Sequence, residues 1–178
     1  MSNDETRKGT SDALAAAKLS LQTARMSLGE LERLREATRG PMPMIDTLQA
    51  LLGRGFDDVE VQRVLFPLNL RYRTLMGGHA EAASKSTGLR VVLDAQRHVD
   101  SIVISGDAND HGASAWTGAI GAGLTTTSSR FDVRRVLGRG AAVDVDGARE
   151  EQFTSAGVVV AYVFADEAIA EIRLRRSP

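Results

Sequence analysis

Two pairs of β-rich runs, each preceded by an amphipathic helical pattern, constrain this chain more than any other feature. Leu89–Leu93 and Val99–Ile104 are rich in β-branched residues and are joined by the polar stretch DAQRH, so they read as a hairpin. Val158–Phe164 and Ile169–Leu174, joined around Asp166 and Glu167, read as a second. Ahead of the first, Asp57 opens a helix with Glu60 as its capping-box partner, and Pro67 ends it. Ahead of the second, Ser128 or Ser129 caps a helix that runs through Leu137 and closes at Gly138. The helices share a string, VQRVL at Val61–Leu65 and VRRVL at Val133–Leu137, while Ile102 and Ile172 fall at nearly the same offset in the two hairpins. The common element order points to duplication of a helix-plus-hairpin unit, with units at about 44–105 and 113–178. The expected fold is α+β, with a mainly antiparallel sheet covered by helices and an N-terminal helix appended.

The remaining elements fit around this plan. Thr10–Arg39 has helical spacing, with Leu14, Leu21 and Leu28 seven apart and Ala17, Ala24 and Leu31 on the same side. Gly40, Pro41 and Pro43 break the chain there, dividing it into 1–40, a polar start with the amphipathic helix, and 41–178, the α+β domain. Met44–Leu52 reads as a short helix ended by Gly53, and Leu68–Tyr72 as a half-buried strand. Long loops are expected over Gly77–Gly88 and Gly106–Gly121, and a turn at Asp144, Asp146 and Gly147. The expected core is Leu51, Leu52, Val61, Leu65, Val91, Leu93, Ile102, Ile104, Val133, Leu137, Val160, Tyr162, Phe164, Ile172 and Leu174.

Composition narrows the function classes. The 22 Lys and Arg balance 23 Asp and Glu, so no global field exists to grip nucleic acid or an anionic membrane. No cysteine is present, which removes disulfides, thiolate metal sites and Cys nucleophiles. The polar opening MSNDETRKGT has no apolar run after it that would serve as a signal or a span, and a cytoplasmic location is the expectation.

Chemical motifs are sparse. His79, His98 and His111 sit in three predicted loops without a ligand-spaced partner. DANDHG at Asp107–Gly112 begins like a calcium loop, but its twelfth position is Gly118 where a bidentate Glu is required. Gly118, Gly121 and Gly123 lack the Lys and the strand-turn-helix context of a phosphate cradle. Glu150 and Glu151 read as ordinary surface charge. No G-x-S-x-G elbow is present, so no metal, no cofactor and no catalytic set is expected. Arg134, Arg135, Arg139, Arg173, Arg175 and Arg176 form the densest positive set, either a solvated face or a patch for an anionic partner surface. Trp116, the single tryptophan, is either a core plug or an interface anchor.

The string Trp116–Gly138, WTGAIGAGLTTTSSRFDVRRVLG, resembles a pattern in small bacterial immunity proteins that neutralise secreted polymorphic toxins. The shared features are an aromatic, a short residue and Gly, then Gly-Leu, a Ser-Arg helix start, an apolar pair and Leu-Gly. A final hairpin ending in I-x-L follows, here Ile172, Arg173 and Leu174. The helix-then-hairpin duplication is also similar to the repeated units of β-lactamase-inhibitor-like domains. Gly121 stands where the family usually has Pro, and Arg139 follows Leu-Gly where Pro is common. The resemblance implies a cytoplasmic protein that binds a cognate toxin and occludes its active site, with no catalysis of its own. Loops that reach the toxin are then the expected contacts: Asp107, Asp110, His111 and Trp116 on one, His79 and Glu81 on the other. The rivals are a secretion chaperone for a partner effector, and a small ligand-binding domain or enzyme.

Overall fold

The computed structural model describes residues 42–106, 114–145 and 148–177. The chain divides into the units Met1–Arg39 and Gly40–Pro178, and every described residue belongs to the second. The helix expected over Thr10–Arg39 lies outside the described residues.

Helix α1, Ile45–Gln49, buries Ile45 and Leu48 on one side. The chain then reverses at Gly53, whose φ of +78° suits a residue without Cβ, and the Gly53 N–H donates to the Val99 carbonyl at 2.7 Å. Helix α2, Val59–Leu65, starts one residue later than expected, because Asp58 rather than Asp57 accepts the Glu60 N–H, at 2.8 Å. Its Val61 and Leu65, four apart, are buried. Pro67 turns the chain through a short 3-10 segment, Phe66–Leu68. In the second part, helix α3, Arg130–Leu137, carries the full capping box: the Ser129 side chain accepts the Asp132 N–H and the Asp132 carboxylate accepts the Ser129 N–H.

Among the described residues eight strands follow these helices, four after α2 and four after α3. They are β1 Arg71–Thr74, β2 Ala80–Ser84, β3 Leu89–Leu93, β4 Val99–Ser105, β5 Ala141–Val145, β6 Ala148–Ser155, β7 Val158–Ala165 and β8 Ala168–Arg176. All pair antiparallel in one sheet of order β1-β2-β3-β4-β8-β7-β6-β5. Each group of four is a meander, and the two meet where β4 pairs β8. There Ile102 faces Leu174, Val103 faces Arg173 and Ile104 faces Ile172.

Strand alternation divides the sheet into two faces. Ala80, Ala82, Leu89, Val91, Leu93, Ile102, Ile104, Tyr162, Ile172 and Leu174 point to one face and form a single core with Ile45, Leu48, Val61, Leu65 and Val133 of the helices. The α+β class with a mainly antiparallel sheet therefore stands as expected. Among the described residues no helix is long and apolar enough to cross a membrane.

Several local expectations are corrected. Strand β1 begins three residues after the expected Leu68 start, since Leu68 belongs to the 3-10 segment and Asn69 is left-handed at φ +54°. The expected loop Gly77–Gly88 contains β2, whose sequence AEAAS has neither β-branched nor aromatic residues, though Ala80 and Ala82 are buried in the core. The region of the expected Asp144 turn is the β5–β6 pair, with Asp144 opposite Arg149 inside β5; Asp146 and Gly147 lie outside the described residues. Among the expected core, Leu137 is 40% exposed at the end of α3, and Leu52, Val160 and Phe164 are only partly buried.

Candidate functional site

Trp116 is 1% exposed and belongs to the core, which corrects its placement as an interface anchor. Its backbone N–H donates to the Ser105 carbonyl at 2.9 Å, and its ring lies against Gly118. A Cβ at Gly118 would fall 2.6 Å from the Trp116 Nε1, so only glycine admits the ring there. The aromatic-x-Gly element of the family-like string is thus a packing device. So is its Ser-Arg element, which is the cap and first residue of α3. Ile120 and Leu124, from the same string, are also in the core.

Glu150 and Glu151 are both 2% exposed, which corrects their reading as surface charge. Being consecutive on β6, they point to opposite faces. On the helix side, Glu151 accepts from Arg134 Nε at 3.2 Å and forms a second bond with the same guanidinium, while Arg130 Nε stands 3.6 Å away. Arg130 also lies over the Phe164 ring, 4.9 Å from its centroid. A buried carboxylate held by two guanidinium groups thereby ties α3 to the sheet. Nearby, burial pushes the Tyr162 phenol up to about 12, with the Asp46 carboxylate adding to the effect.

On the other face, which carries none of the helix-packed core residues, charges alternate across the strands. Arg73 of β1 donates to Glu81 of β2 at 3.1 Å, and Arg90 of β3 is 4.0 Å from Glu81. Arg90 is in turn 4.0 Å from Glu171 of β8. Arg173 bonds both Glu171 and Glu150, and the Gln152 side chain donates to Glu150 at 3.1 Å. The register explains the row: Arg73 faces Glu81, Arg90 faces Val103, Val103 faces Arg173, and Glu171 faces Val163, which faces Glu150. Glu81 and Glu150 are buried within it, whereas Arg73 and Arg90 remain largely accessible. Two further cations of the same face, Arg71 and Arg175, form no ion pair with a described residue. The face therefore holds Arg71, Arg73, Arg90, Arg173 and Arg175 against Glu81, Glu150 and Glu171.

Of the expected toxin contacts, only Glu81 enters this face, where it joins Glu150 and, from the arginine set noted in the sequence, Arg173 and Arg175. His79 is exposed just before β2. Asp107, Asp110 and His111 lie outside the described residues. Arg71, Arg73 and Arg90 were missed, and the legible signal was the alternation RYR in β1 and LRVVL in β3, where a cation interrupts an otherwise apolar strand on alternate positions. Among the described residues no three His, Asp or Glu side chains converge into a group able to hold a metal ion.

No family model matches the chain, and no curated protein matches it. Solved structures show partial likeness. A DUF4309 family protein, YjgB, from Bacillus subtilis has a TM-score of 0.38 and 11% identity, covering 61% of this chain and 64% of its own. A cysteine-rich secretory protein, SAV1118, from Staphylococcus aureus has a TM-score of 0.47 and 8% identity, covering 78% of this chain and 49% of its own. The chain thus spans about two thirds and one half of the lengths of these structures.

Proposed function

We propose that this chain is a binding protein of the immunity class, which takes a cognate protein toxin onto the charge-laddered face of its sheet and blocks the toxin without catalysis of its own. The observation that carries the reading is the excess of guanidinium on that face. Arg71 and Arg175 lack carboxylate partners among the described residues while the remaining charges are matched. A partner surface bearing carboxylates satisfies them, and charge complementarity of this kind selects the partner and speeds encounter. The family-like string supplies the resemblance, and its Trp116, Gly118 and Ser129 serve the fold, so the contacts belong elsewhere. The protein acts in the cytoplasm, where a self-protecting cell meets the toxin, and needs no membrane, nucleic acid or cofactor.

The duplication is part of the same reading, and three observations support it. Each meander follows a helix. Each closing hairpin has a bulge, at Asp100 opposite the Val92/Leu93 step and at Ala170 opposite Val163/Phe164. The bulged residues are separated by the same interval as Ile102 and Ile172, so the two halves align without a gap through β4 and β8. Paired about Val103 and Arg173, these strands give the sheet an internal two-fold relation.

Co-expression with each neighbouring open reading frame tests the function. The expected result is rescue of growth and co-purification with one product, both lost in an Arg71→Glu/Arg175→Glu variant that melts like the wild type. Absence of any toxic, co-purifying neighbour, or a complex indifferent to both reversals, overturns the reading. Binding confined to an unfolded leader segment of the neighbour would place the protein among secretion chaperones instead.

A further inference from the structure

We infer that strand β5 is a self-association edge, through which two copies of this chain join their sheets. The two ends of the sheet differ sharply. At one end β1 has four residues, RYRT, and its two arginines discourage another strand from pairing beside it. At the other end β5, AAVDV, carries Asp144 as its one charge, has no Lys, Arg or Pro and no bulge against β6, and is paired on one side only among the described residues. Natural edges are normally guarded by those very features, and an unguarded edge is a template for another strand.

The sequence of β5 favours a second copy as the occupant. With an antiparallel pair centred on Val143, Val143 meets the partner's Val143 and Ala141 meets the partner's Val145. The one charged residue, Asp144, then meets the partner's Ala142 and never another Asp144. Like charges directly opposite would be destabilising, and this register has none, whereas apolar cross-strand pairs add stability. Such a pair is isologous and closes at two copies, because each β5 edge is consumed.

The consequence reaches the partner face, although the inference does not rest on it. Val143 faces Glu150 in the β5–β6 register and therefore lies on the charge-laddered side of the sheet. A two-fold axis perpendicular to the sheet keeps both copies' ladders on the same side, so the dimer offers two copies of that face in one continuous surface.

Sedimentation of the full chain over a ~100-fold range of concentration tests this. The expected result is reversible dimerisation, weakened about tenfold or more by Val143→Lys, which sets two ammonium groups opposite each other, and unchanged by Thr74→Lys on the β1 edge. Should Val143→Lys fail to fold, Val143→Cys gives the answer, since the chain has no other cysteine. Mild oxidation is expected to cross-link it as a dimer, while Thr74→Cys stays monomeric under the same treatment. A chain that is monomeric throughout, a dimer insensitive to Val143→Lys, or cross-linking through Thr74→Cys instead of Val143→Cys overturns the proposal.

Discussion

The helices that precede the two meanders in sequence are held to the sheet by different chemistry. Before β1–β4 the contacts are apolar: α1 contributes Ile45 and Leu48 to the core, and α2 contributes Val61 and Leu65. Helix α3, before β5–β8, buries only Val133, and Leu137, which matches Leu65 in the shared string, is 40% exposed. What holds α3 down is ionic, the buried Glu151 clamped by Arg130 and Arg134. The same five-residue pattern, VQRVL and VRRVL, therefore performs two jobs. The lesson is that an amphipathic stripe fixes which side of a helix faces the sheet, while the residue waiting on the sheet decides whether the contact is greasy or charged.

The segment bearing Trp116 belongs to neither half alone. Ser114 N–H donates to the Lys85 carbonyl at 2.6 Å and Trp116 N–H to Ser105, both in the first half, before Leu124 and α3 enter the second. Trp116→Ala should break the comparison most severely, costing about 3–5 kcal/mol by cavity formation and loosening both halves together. Chemical denaturation monitored by circular dichroism measures it. A loss below ~1 kcal/mol would show that the ring is dispensable to the fold.

Next in size is the ionic attachment of α3. Removing both Arg130 and Arg134 by alanine leaves Glu151 buried without a counter-charge and should cost about 3 kcal/mol. Adding Glu151→Leu to that variant should return most of the loss, because the penalty lies in the orphaned carboxylate rather than in the missing attraction. If the triple variant is no more stable than the double, the Glu151 site is solvated and the contrast between the two attachments fails.

A paired truncation sharpens the same contrast at lower cost. Leu65→Ala should lose roughly 2–3 kcal/mol, as for a buried leucine, and Leu137→Ala less than about 1 kcal/mol, since its side chain is already half in water. Equal losses would mean that the two strings are structurally interchangeable after all.

Legibility in the sequence followed local contrast. The two closing hairpins, the Ser129 cap and the Gly138 stop were readable because β-branched runs and capping residues act within a few positions. Strand β2 was unreadable because Ala80, Ala82 and Ser84 are small residues buried by tertiary packing, a demand that overrides strand propensity. Strand β6 was unreadable because AREEQFTS looks like solvated surface until Arg130, Arg134 and Arg173 are brought to Glu150 and Glu151 from other elements. The charged face was half visible. Its arginines show as interruptions of strand pattern, but their matching to Glu81 and Glu171 is a product of register between strands far apart in sequence.

The smallest expected effect is one in which the halves should agree. Each contains an acid whose carboxyl is held below its ordinary value of 3.8: Asp94, between β3 and β4, by the His98 backbone N–H above all, and Asp132, in the first turn of α3, first by the Ser129 hydroxyl and then by the Ser129 N–H. A carboxyl lowered on folding binds its proton less readily in the folded than in the unfolded chain, so its contribution is complete above the unfolded value and is lost as pH falls through the folded one. Wild type should therefore outmelt Asp94→Ala and Asp132→Ala, and both margins should shrink as pH falls through and below about 3.8, in the same acid window for both. Ser129→Ala should weaken the pH dependence in the second half alone, since the hydroxyl that donates to Asp132 at 2.7 Å is gone while the Ser129 N–H and Arg135 remain. A margin for Asp132 that persists undiminished into acid would show that its role is steric, and the shared electrostatic design of the two halves would fall with it.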